Sequence, residues 1–151
     1  MVAAGHGLRQ LSAHGGFGSK TDPAAPYPER FEVHAAVPQL DVLAASSVFV
    51  THGGMGSVME AVALGVPPVV VPQMAEQRVN AERVQALGLG VYLPREEATG
   101  EALRDAVRTV RNNPRACAAL ATLDQDISQA GGSSAAADIV EKVLANRPMT
   151  L

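Results

Sequence analysis

The sequence predicts a doubly wound α/β domain built on a parallel sheet, and three observations carry that expectation. Strand-like runs alternate with helix-like stretches from one end of the 151 residues to the other, the pattern of sheets covered on both faces. The run "VPPVVVP" at 66–72 is apolar at every position and bounded by prolines, as buried parallel strands read. Between a strand-like "SVFVT" and a helix-like "SVMEAVALG" lies the cluster His52-Gly53-Gly54-Met55-Gly56. Ligands of such sheets bind beyond the carboxyl ends of the strands, where this cluster falls.

The elements follow in order. "MVAAG" reads as a short buried strand. Residues 5–29 are rich in Gly, Pro, Ser and His and read as one long loop. "RFEVHAAV" reads as a second strand. Pro38 opens a short helix, "PQLDVLAAS", at a position that tolerates proline. A third strand covers 48–51, and the helix after the glycines ends at Gly65. The fourth strand is 66–72. A helix over 76–88 carries apolar Val79, Val84 and Leu87, and "LGVYLP" is a fifth strand. In "TGEALRDAVRTVRNN", Thr99 is the expected N-cap, and Leu103, Ala106, Val107 and Val110 form one apolar stripe. Two more helices follow. One starts at Pro114 and the last turns Ile139, Val140, Val143 and Leu144 inward. No internal repeat is visible.

Composition narrows the functional classes. With three Phe, two Tyr and no Trp, the core is aliphatic. The net charge is −3 and there is no basic block, so the footprint of a nucleic-acid binder is missing. The single cysteine, Cys117, lies in an Ala-rich helical stretch and reads as a packing residue. No apolar run approaches the roughly 20 residues that span a bilayer. The start "MVAAGHGLRQ" lacks the charged and apolar regions of a signal peptide. A soluble, cytoplasmic protein is expected. No residues have metal-ligand spacing, and no cofactor is expected.

The chemistry centres on residues 52–60. Gly53, Gly54 and Gly56 permit unusual backbone conformations and a close ligand approach. The helix starting near Ser57 directs unpaired N–H groups and its positive dipole end at that loop, where a phosphate is well held. His52 at the strand end and the Ser57 hydroxyl add donors. Glu60 lies one turn past Ser57 on the same face and suits a ribose diol. The order is diphosphate, then ribose. The stretch is neither the G-x-G-x-x-G dinucleotide fingerprint nor a Walker loop, since no Lys follows. Taken alone, the glycines equally describe a tightly packed strand-to-helix turn. Glu76-Gln77 alone reads as an exposed helix start, where acidic residues are common.

The stretches "VPQLDVL" and "FVTHGGMGSVMEAVALGVPPVVVPQMAEQ" closely resemble the donor-binding signature of GT-B nucleotide-sugar glycosyltransferases, nearest the bacterial macrolide-type branch. The match includes T-H-x-G, Ser five after the His, Glu three further on, G-V-P, and then Pro and acidic-Gln. It continues through "NAERVQALGLGVYL" and "AGGSSAAADIVEKVL" and covers roughly residues 30–147. The resemblance implies a Rossmann-like sheet, the C-terminal half of a GT-B fold, with residues 1–151 as a donor nucleotide-sugar-binding domain. His52, Gly56 and Ser57 would contact the diphosphate and Glu60 the ribose. Glu76 and Gln77 would bind sugar hydroxyls, and Val37 and Gln39 would sit by the base and ribose. The donor substrate would be a UDP- or dTDP-sugar, and the reaction inverting transfer to a small natural-product hydroxyl.

The sequence departs from the pattern in three ways. Ala36 stands where many relatives carry a Trp, which removes base stacking there. The N-terminal half that holds the acceptor and the catalytic histidine has no counterpart, and the first strand and helix of the donor half are lacking. The loop at 5–29 fits the family poorly. None of His6, His14 and His34 reads as the missing base, so no catalytic residue is assigned. Three other readings are a donor-binding subunit that works only with a separate acceptor-binding chain, an inactive truncated product, and, remotely, a Rossmann oxidoreductase.

Overall fold

A computed structural model describes residues 2–4, 10–13, 31–34 and 36–145. Within them lies one six-stranded sheet in the order β3-β2-β1-β4-β5-β6. The strands are β1 (Val2–Ala4), β2 (Gln10–Ala13), β3 (Phe31–His34), β4 (Ser46–Thr51), β5 (Pro68–Val70) and β6 (Val91–Tyr92). The helices are α1 (Gln39–Ala44), α2 (Met55–Ala63), α3 (Ala75–Ala86), α4 (Gly100–Arg111), α5 (Pro114–Gln129) and α6 (Gly132–Ala145).

The expected α/β layering is present. Strands β4, β5 and β6 run parallel, with Phe49 opposite Pro68 and Val69 opposite Val91, and α2 and α3 are their crossovers. β2 and β3 are also parallel. β1 alone runs antiparallel to both its neighbours, pairing Val2 with Leu11 and with Phe49. Hydrophobic patterning sets which face a residue takes and says nothing of strand direction, so the reversal left no trace in the sequence reading.

Alternation along β4 and β5 divides the core between two faces. Val48, Val50 and Val69 pack with Leu93, Ala106, Val110 and Ala116 under α4. Val70 turns the other way and joins Val58, Val62, Ala81, Val84, Leu89 and Leu120 under α2, α3 and α5. Phe49 packs with Leu43, Ala61 and Val66 beside α1. Each buried Val, Leu or Phe among them contributes about 1.5–3 kcal/mol through burial, and each alanine methyl less. Proline at the first residue of β5 costs the ladder nothing, because that position can lack a donor.

Local chemistry sets the helix ends as expected. Thr99 caps α4, its Oγ1 accepting from the Ala102 N–H at 3.1 Å. Asn113 caps α5 in the same way through Arg115, with Pro114 in the first turn.

Four expectations need correction. β2 lies inside the stretch read as a loop. Its residues, Gln-Leu-Ser-Ala, show too short a pattern to signal a strand, and the rest of 5–29, with His6 and His14, lies outside the described residues. Cys117 is exposed. Ala116 and Leu120 take the inward face of α5, and Cys117 is one step, about 100°, around from Ala116. Val79 is exposed because Gln77, Ala81 and Val84 form the buried stripe of α3. In α6, Ile139, Val140, Val143 and Leu144 are all more than half exposed, since no described element covers that helix.

Candidate functional site

The site is built where three connections meet at the carboxyl edge of the sheet: the start of α1, the β4–α2 loop and the start of α3. β4 ends at buried Thr51, and His52 emerges exposed. Gly53 then takes φ +89°, a conformation that favours glycine, and its N–H donates to Thr51 Oγ1 at 3.2 Å. A side chain there would also collide, since an added Cβ would lie 2.5 Å from Val70 Cγ1. The imidazole of His52 folds over Gly54, whose Cα would carry a Cβ 2.9 Å from Nε2. Gly54 therefore makes room for the histidine.

Gly54 is the N-cap of α2 and offers no side chain, so the first N–H groups of the helix are left for a ligand. The helix starts at Met55, two residues before the expected start, which puts Gly56 and Ser57 in its first turn. Ser57 and Glu60 share a face, as their spacing predicts, and a third residue joins them. The Gln39 amide Nε2 donates to Glu60 Oε2 at 2.5 Å and to Ser57 Oγ at 3.2 Å. All three side chains are half-buried. Val37 lies two residues before Gln39 and is half-buried, next to exposed Ala36. The arrangement presents a chain of polar groups from helix N-terminus to carboxylate, matched to an anion followed by a diol.

Glu76 and Gln77, adjacent in sequence, face different surroundings. Glu76 is exposed in the first turn of α3, where a carboxylate complements the helix dipole. Gln77 is buried at 6% exposure. Its Oε1 accepts from the Gln73 N–H at 2.9 Å and the Met74 N–H at 3.2 Å. It closes the β5–α3 turn in the manner of the third residue of a capping box. The carbonyl half of Gln77 is therefore spent on the backbone, and the amide Nε2 is the half left to meet a ligand.

Sequence reasoning missed Asn80. Its Nδ2 donates to the Gly53 carbonyl at 2.8 Å and ties α3 to the glycine loop. The available signals were its position one turn after Glu76 and its place at the head of the matching stretch "NAERVQALGLGVYL". A cavity of about 380 Å³ adjoins the site, lined among others by Pro72, Met74, Arg78, Tyr92, Arg95 and Glu96. Its lining residues follow β5, open α3 and flank β6. The hydrogen-bonded group at 39–60 is a separate feature, identified by its bonding rather than by concavity. Among the described residues no group of His, Cys, Asp and Glu could hold a metal ion, and no helix is long and apolar enough to cross a membrane.

Comparison with known proteins adds independent findings. The family described as "Erythromycin biosynthesis protein CIII-like, C-terminal domain" matches residues 17–145. An NDP-glycosyltransferase, YjiC, of Bacillus licheniformis is 44% identical over 130 residues, covering 85% of this chain and 33% of that protein. The oleandomycin glycosyltransferase of Streptomyces antibioticus is 37% identical over 132 residues, covering 86% and 31%. Among solved structures, the calicheamicin glycosyltransferase CalG4 superposes with a TM-score of 0.80 at 37% identity, over 91% of this chain and 36% of that one. The glycosyltransferase VinC, solved in complex with dTDP, superposes at 0.62 with 27% identity, over 66% and 25%. The chain spans about a third of the length of the curated relatives it matches.

Proposed function

The chain belongs to the C-terminal-domain family of erythromycin biosynthesis protein CIII-like glycosyltransferases, and from that premise we propose that it is the donor-binding half of an inverting nucleotide-sugar glycosyltransferase. The observation that carries the reading is the Gln39–Ser57–Glu60 group, set one turn behind the open N-terminus of α2. A diphosphate fits against the N–H groups of that helix start, with His52 beside it. The Glu60 carboxylate then receives the ribose hydroxyls, with Val37 near the base. Glu76 and the Gln77 amide serve the sugar.

In the proposed reaction an acceptor hydroxyl oxygen attacks the anomeric carbon as the bond from that carbon to the diphosphate oxygen breaks. The hydroxyl proton passes to a base outside these residues, and the nucleoside diphosphate leaves. His52, the Ser57 hydroxyl and the α2 dipole stabilise the charge that grows on the leaving group. The donor is a UDP- or dTDP-sugar. Glu60 favours UDP, because deoxyribose lacks the 2′-hydroxyl that a bidentate carboxylate accepts from. The VinC complex keeps dTDP in view. The names of the relatives support a macrolide or similar natural product as acceptor, and a cytoplasmic location goes with that chemistry.

A second reading rests on the apolar face of α6, which no described element covers. The chain then acts as a donor-binding subunit docked on a separate acceptor-binding chain, and transfer appears only on mixing the two.

The test is calorimetry with UDP, UDP-glucose and dTDP-glucose on this chain, with Glu60→Ala and His52→Ala alongside. Saturable UDP binding that weakens by at least about tenfold in each variant is expected, since each removes a hydrogen bond to a charged group. A folded chain that binds no nucleotide would refute the donor-site reading.

A further inference from the structure

We propose that Asn80 is a positioning residue for the diphosphate loop, one that aims the Gly54 N–H at the ligand. The proposal rests on the donor-site reading and extends it to a residue outside the recognised pattern of contacts. Its basis is the orientation of one peptide plane. The Gly53 carbonyl is drawn toward α3 by the 2.8 Å hydrogen bond from Asn80 Nδ2. The Gly53–Gly54 peptide is trans. In a trans peptide the carbonyl and the N–H point in opposite directions. Holding the Gly53 oxygen against α3 therefore directs the Gly54 N–H away from α3, to the open side of the loop where α2 begins. Among the described residues that N–H has no acceptor.

Two further features make Asn80 the controlling contact. Gly53 is buried and takes φ +89°, so its neighbouring peptide planes are not set by helix or strand bonding. Thr51 Oγ1 holds the Gly53 N–H, which fixes the plane before the glycine. Asn80 fixes the plane after it. Asn80 also lies one turn beyond Glu76 on α3. One helix thus carries both the proposed sugar-side carboxylate and the clamp on the diphosphate loop. Their separation is set by a rigid turn of backbone.

The test compares Asn80→Ala and Asn80→Asp with the parent chain, titrated with UDP and with uridine and followed by amide NMR. Uridine carries the base and ribose for Gln39 and Glu60 but no diphosphate. In Asn80→Ala, UDP binding should weaken about tenfold, as for one lost hydrogen bond. Uridine binding should stay within about twofold, and the Gly54 amide resonance should shift in the free protein. Asn80→Asp cannot donate from its carboxylate and places a negative charge near the diphosphate, so its loss for UDP should be larger. Unchanged UDP affinity, or equal losses for UDP and uridine, would overturn the role of Asn80 while leaving the donor site intact. Unfolding of both variants would also overturn it, making Asn80 a residue of the fold. A parent chain that binds neither ligand would bring down the donor-site reading and this proposal with it.

Discussion

Gly53→Ala is the substitution for which the structure gives the sharpest energetic expectation. Two costs add. At φ +89° an L-residue with a Cβ is strained by about 1–2 kcal/mol. The new methyl would also lie 2.5 Å from Val70 Cγ1, inside the distance that real contacts keep. Val70 is fully buried within the cluster under α2, α3 and α5 and has no free direction to move. Overpacking of that kind costs about 1–3 kcal/mol. The total is about 2–5 kcal/mol, a large share of the roughly 5–15 kcal/mol that holds a domain together. Gly65→Ala supplies the control. Gly65 has φ +68° but open space where its Cβ would stand, so only the backbone cost applies. Urea unfolding followed by far-ultraviolet circular dichroism should therefore put Gly53→Ala below Gly65→Ala by about 1–3 kcal/mol at similar slopes. Equal midpoints would refute the reasoning, because they would mean that the loop retreats from Val70 at no cost.

Gln77→Ala strips the acceptor from two backbone N–H groups and should lower stability by about 2 kcal/mol in the same assay, whereas Gln77→Glu keeps an acceptor oxygen and should lose little. A parent-like Gln77→Ala would contradict the turn-closing role. Cys117 should react in the native chain with a thiol reagent at one equivalent and without a lag. Reaction that waits for denaturant would contradict its exposure. Ile139→Gln combined with Val143→Gln should leave stability within about 0.5 kcal/mol of the parent, as for surface positions. A large loss would mean that this face of α6 is covered after all.

What the sequence made legible was local. The α4 stripe and its Thr99 cap lie within one helix, and periodicity and capping chemistry describe them fully. β5 was legible because a short apolar run rich in β-branched valine and bounded by prolines is too short for a helix and suits a buried strand. The shared face of Ser57 and Glu60 follows from helical spacing, and Gln39 bonding both confirms it. What stayed hidden depends on partners distant in the chain. The direction of β1 is set by pairing with β4. Asn80 acts on Gly53 from another element. Gln77 reads as a polar surface residue until the β5–α3 turn folds back onto its side chain. The last helix carries a core-like stripe with no described core to join, so its pattern pointed inward where the structure leaves it open.

Among the described residues the sheet ends on one side at β6, a strand of two residues followed closely by Pro94. Fibril growth requires an edge that offers several consecutive backbone donors and acceptors, and proline supplies no donor. β6 thus offers another copy only a short backbone edge to pair with, one of the ways in which sheet edges are blunted against edge-to-edge association. Crowding by concentration therefore acts, on that side of the molecule, through side-chain surfaces whose stickiness responds to salt and cosolvent.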